Sequence, residues 1–166
     1  MNPATFPPDR NHDIYINVGH TLTLTGNEEV KSVYINAQTS AGQKLNLNGY
    51  NLDVYGMLHA FSGTAPGTPD NTWNSQNWIG NSESSTITFK GLSRTVVEKS
   101  SWSANTTQSR YQVIFDPAPG EVLTVASPFK ALAFTVRSGT VLQQLDTSVN
   151  PNTCFTLSFN TETIFN

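Results

Sequence analysis

Only one cysteine, Cys154, occurs among 166 residues, which excludes an internal disulfide and any CxxC metal or redox motif. Flanked by Phe155 and Leu157, it reads as an inert core thiol. Charge is scarce as well. Charged residues make up 13% of the chain and the net charge is −3, and no Lys/Arg run leaves the electrostatic footprint of a nucleic-acid or anionic-membrane partner. No apolar stretch approaches the ~20 residues of a membrane helix. The opening "MNPATFPPDRNHD" lacks the basic and apolar regions of a signal peptide, so a secreted protein would be read here in mature or trimmed form. Helical periodicity is nearly absent. The single helix-start candidate is "NEEV", where Asn27 would cap and Glu28 and Glu29 would favour the first turn, and the β-branched residues that follow limit it to that turn.

In place of charge there is uncharged polarity, and in place of helical periodicity there is alternation. Thr, Ser and Asn together supply about a third of the chain, well above usual usage, and this profile suits an extracellular β-protein better than a cytosolic enzyme. Hydrophobic residues are 37%, and without a high net charge the chain is expected to fold. "DIYINV" sets Ile14, Ile16 and Val18 on one face; "TLTLT" does the same with Leu22 and Leu24, and "KLNLN" with Leu45 and Leu47. The pattern recurs at Val33 and Ile35, Leu52 and Val54, Ile87 and Phe89, Val113 and Phe115, Leu123 and Val125, Phe134 and Val136, and Phe155, Leu157 and Phe159. Thr, Asn and Tyr hold the outward positions between them, and glycines beside Asn or Pro punctuate the runs as turns require.

Two internal echoes organise the strands. "DIYINVGHTLTLTGNEEVKSVYI" aligns without a gap on "IFDPAPGEVLTVASPFKALAFTV" at an offset of 101, pairing Gly19 with Gly120, Leu22 with Leu123 and Val33 with Phe134. "LTLTGN" and "LNLNGY" echo each other at a shift of 23. Strands spaced in this way predict a single all-β domain over 1–166, a parallel β-solenoid (right-handed β-helix) whose coils bury their apolar faces on one another. A β-sandwich is the alternative fold. Residues 60–85, rich in Gly, Pro, Asn and Ser, read as a long loop insertion, and 97–110 as a second polar excursion. Open solenoid ends would invite self-association.

The run "VGHTLTLTGNEEVKSVYIN…KLNLNGYNLDVYG" resembles a recurrent element of large, repeat-rich secreted surface proteins of Bacteroidota. There a "GHTVTLTG"-like strand end leads to a "V–V–I" strand and then to "LNLNGNTLTVSG". The likeness covers about residues 12–57 and, more loosely, 111–145. It implies the opening coils of a parallel β-helix on a stalk or adhesin exported by the type 9 pathway, and a cell-surface location. Its motif consists of strand and turn residues and carries over no catalytic residue. The sorting domain usual at the C-terminus of that family is not among these residues, and "TETIFN" interrupts an alternating pattern, so a fragment of a longer protein is expected.

Residues that carry chemistry are dispersed. Asp9, Asp13, Glu28, Glu29, Asp53, Asp116 and Glu121 fall at turns or outward positions and read as solvated surface, and no calcium loop is present. His12, His20 and His59 are isolated from one another, without the helical spacing of a metal pair. There is no G-x-S-x-G, and "GTAPGTPD" lacks the Lys-Ser/Thr ending of a phosphate loop. No catalytic residue, metal or cofactor is expected. The candidate ligand-binding residues are Trp73, Asn74, Gln76 and Trp78 in "DNTWNSQNWIGN", with Trp102 in the second excursion. Indole rings on a wet loop can stack on sugars while Asn and Gln bond the hydroxyls. The same rings can instead fold back to cover a solenoid edge. These residues point to a non-catalytic structural or adhesive module with glycans or other surface proteins as partners. The alternatives are a carbohydrate-binding β-sandwich and, after it, a β-helical polysaccharide-lyase-like enzyme fragment.

Overall fold

Residues two apart face the same way on an extended chain, and the alternating runs become strands. The structure, a computed structural model, describes residues 8–17, 19–36, 45–61, 79, 84–91, 95–97, 111–125, 129–143, 145–146, 153–154, 157–159 and 164–165. The first winding is β1 (Asp13–Ile16), β2 (Leu22–Thr23) and β3 (Glu28–Val30), and the second is β4 (Ser32–Asn36), β5 (Leu45–Asn46) and β6 (Leu52–Val54). Then come β7 (Leu58–Phe61), β8 (Thr86–Phe89), β9 (Thr95–Val97), β10 (Gln112–Phe115), β11 (Val122–Val125), β12 (Phe129–Ala131) and β13 (Ala133–Val136). The last are β14 (Thr140–Gln143), β15 (Leu145–Asp146), β16 (Thr153–Cys154), β17 (Leu157–Phe159) and β18 (Ile164–Phe165).

Apart from β15 and β16, the described strands pair in parallel from one winding to the next. Sheet A runs β1-β4-β7, sheet B runs β2-β5, and sheet C, the longest, runs β3-β6-β8-β10-β13-β18. From β9 onward, sheet D (β9-β11-β14) follows the sheet C strands in the chain as sheet A did before, and β12 and β17 pair as sheet E. This is the parallel β-solenoid that the alternation predicts. The β-sandwich alternative fails, because a sandwich is built of antiparallel layers and β15 with β16 is the one antiparallel pair among the described strands.

The echoes in the sequence have a structural meaning. The shift of 23 is the register itself, since Leu22 pairs with Leu45 and Thr23 with Asn46. The longer repeat is one full circuit of the chain. Its first copy runs from β1 to β4, which pair in sheet A, and its second from β10 to β13, which pair in sheet C. Equivalent segments therefore start on different faces of the coil. Their turns are alike: His20 N–H donates to the Asn17 carbonyl at 3.1 Å and Glu121 N–H to the Ala118 carbonyl at 2.9 Å. Gly19 and Gly120 take φ values of 77° and 84°, the left-handed conformation a type II turn needs at its third residue.

The core consists of rows that cross the sheets. In sheet C, Leu52, Ile87, Val113 and Phe134 stand in one inward row, and Val30, Val54, Phe89, Phe115 and Val136 in the next. Phe115 stacks between Phe89 and Phe134, with centroids 5.9 Å away on either side; such pairs contribute roughly 0.5–1.5 kcal/mol beyond burial. Side-chain amides tie windings together at one corner. Asn27 Oδ1 accepts from Asn51 N–H, and Asn51 Oδ1 from Thr86 N–H, both at 2.9 Å. Asn27 thus links coils and caps no helix, and the "NEEV" turn is corrected to strand β3. The loop expected over 60–85 meets the core at Ile79, which is 4% exposed and bridges to Leu45.

Candidate functional site

The outer face of sheet A brings together the most distinctive exposed groups among the described residues. Strand alternation turns Ile14 and Ile16 inward on β1, which leaves Asp13 and Tyr15 outward; on β4 it turns Val33 and Ile35 inward, which leaves Ser32 and Tyr34 outward. Parallel register then sets Asp13 beside Ser32 and Tyr15 beside Tyr34, with His59 the backbone partner of Tyr34 on the next strand. The two phenol rings stack 5.0 Å apart at an interplanar angle of 10°. Tyr15 is 47% exposed. One of its faces lies on Tyr34, and the other looks away from the sheet, because β1 is the edge strand.

Polar groups flank the stack. Lys31 Nζ lies 3.2 Å from Asp13 Oδ2. Asp13 Oδ1 is buried without a hydrogen-bond partner among the described residues, and Ser32 Oγ accepts the Met57 N–H at 3.0 Å. Desolvation, with lesser contributions from the neighbouring Asp13 and Tyr15, pushes the Tyr34 phenol above its ordinary pKa against an opposing hydrogen bond from Ser32 and the charge of Lys31. Tyr34 is therefore a neutral hydroxyl at any physiological pH. This arrangement can stack a ring and exchange hydrogen bonds.

Glu29, Asp53 and Asp116 are engaged with partners. On the outer face of sheet C, the Tyr55 hydroxyl donates to Glu29 Oε2 at 3.4 Å and Lys90 Nζ sits 3.0 Å from Asp53 Oδ2. Asp116 is met by Arg137 at 3.4 Å and by the Ser138 hydroxyl at 2.8 Å. Among the described residues no three His, Cys, Asp or Glu side chains converge on a metal position, and no helix is long and apolar enough to cross a membrane. One acidic residue departs from its expected place. The sequence places Glu28 at a turn or outward position, yet it is the register partner of buried Leu52 and belongs to the inward phase of β3.

The residues singled out in the sequence, Trp73, Asn74, Gln76, Trp78 and Trp102, lie outside the described residues. The structure adds only that Ile79, next to Trp78 in the chain, is pinned in the core. The tyrosine pair was legible in part. "DIYI" and "SVYI" place each Tyr outward and in the same phase, but only the register shows that the two rings meet. Comparison of the chain with family models, with curated proteins and with solved structures finds no match.

Proposed function

We propose that the chain is a non-catalytic structural and adhesive module of a secreted bacterial cell-surface protein, a stiff coil that presents side chains from its outer faces to glycans or neighbouring surface proteins. The observation that carries the reading is the pair of ladders on one scaffold: continuous inward apolar rows that stiffen the coil, and a stacked, exposed Tyr15–Tyr34 pair outside it. A pre-ordered ring loses little freedom when a ligand lands on it, and an aromatic face beside charged hydrogen-bonding groups matches the mixed apolar and polar surface of a sugar. The uncharged polar composition and the resemblance over residues 12–57 support the location. In this reading Trp73 and Trp78 add further ring faces for the same class of ligand.

The test is a glycan array probed with the whole chain, with Tyr15→Ala, and with the Trp73→Ala/Trp78→Ala pair, each checked for retained fold. Binding by the wild type that falls at least about tenfold, or roughly 1.4 kcal/mol, in either variant supports adhesion through these rings. A folded wild-type chain that binds no glycan reduces the reading to a spacer. Turnover of an acidic polysaccharide overturns the non-catalytic assignment.

A further inference from the structure

One inward row of sheet C, from Val30 on β3 to Phe165 on β18, is apolar over its whole described length, but two other inward rows are not. In sheet C the row through Leu52, Ile87, Val113 and Phe134 begins with Glu28, the register partner of Leu52. Buried Val30, two residues on, holds Glu28 to the inward phase, while Glu29 between them faces out to the Tyr55 hydroxyl. In sheet D the row through fully buried Val125 ends with Gln143, its register partner, which is exposed. The neighbouring row keeps its character, since Leu123 pairs with Val141, which packs against the core. Among the described strands β3 and β14 are the edges of their sheets. Among the described strands, the β3 edge of sheet C and the β14 edge of sheet D therefore each carry one polar side chain on the path along which their row would continue.

From this placement we infer that Glu28 and Gln143 keep a second copy of this chain from stacking coaxially on the coil. A further winding laid on β3 would enclose the Glu28 carboxylate among apolar residues, and one laid on β14 would enclose the Gln143 amide. Burying a charge without a partner is among the costliest steps in assembly, and an inward-pointing charge is a common guard of an exposed strand edge. The opposite expectation, self-association through open ends, concerns the same surfaces and is decided by the same measurement. The inference is independent of glycan binding, since it concerns the ends of the stack and not its outer faces.

Sedimentation velocity over a concentration series tests it, with wild type, Glu28→Leu, Gln143→Val and the double variant compared, and circular dichroism confirming each fold. The wild type is expected to sediment as a monomer of 18.1 kDa. The double variant is expected to associate at least about tenfold more tightly, with each single variant in between. A wild-type chain that associates as tightly as the double variant overturns the inference, as does a folded double variant that stays monomeric. Should the double variant not fold, Gln143→Val, at an exposed edge position, carries the comparison with wild type: association supports the inference and a folded monomer overturns it.

Discussion

At Gly56 the chain turns from β6 to β7 with no space for a side chain. Its N–H donates to the Lys31 carbonyl, and an added Cβ would run into Ser32 Oγ and that same carbonyl. Ser32 has nowhere to retreat, being buried with its Oγ held by the Met57 N–H. Gly56→Ala is expected to cost about 1–3 kcal/mol in urea unfolding, whereas Gly26→Ala, whose Cβ meets nothing nearer than 3.9 Å, should be close to neutral. Lys90 sets a pH dependence at the same scale. Its hydrogen bond to Asp53, helped by the carboxylate charge and opposed by desolvation, raises its pKa above the ordinary lysine value. A raised cationic pKa stabilises the fold at every pH below the unfolded value, and that contribution is lost as pH climbs through the folded value. The difference in stability between wild type and Lys90→Met should therefore be constant from neutral to mildly alkaline solution and shrink only in strong alkali. Because both side chains are about a third exposed, the difference should be small; denaturant titrations at a series of pH values read it directly.

Elements here are made by their neighbours more than by their own residues. Strands of two to five residues are too short to persist alone, and each is held by one or two neighbouring strands. The "NEEV" segment shows the consequence: its capping residue and acidic first turn favour a helix locally, but pairing with β6 and the Asn27–Asn51 link between windings are available only in the coil, and they prevail. The inward phase of Glu28 escapes the sequence for a related reason. Its phase on β3 was readable from Val30, but the alternating code says nothing about a strand that ends a row. The centre of the long sheet should be the least tolerant element. Phe115 is fully buried and stacks on rings to either side, so Phe115→Ala is expected to cost about 3–5 kcal/mol by chemical denaturation.

A stack of windings in which each contacts mainly its neighbours has a stability profile along its axis. Amides of β8 and β10, which have strands on both sides in sheet C, should exchange with deuterium slowest, and those of the edge strands β1 and β14 fastest. Uniform protection, or faster exchange at the centre, would contradict a coil stabilised rung by rung. By itself the amino-acid order determined the strand class, most of the inward residues among the described strands and one register, because a period of two fixes which side chains share a face and the echo at a shift of 23 is the pairing of β2 with β5. Tertiary structure alone decided which faces the repeated units occupy, that Tyr15 lies on Tyr34, and that Glu28 heads an apolar row. Those facts depend on how far the chain travels around the coil before a strand finds its partner, a distance set by turns and insertions whose lengths carry no periodic signal.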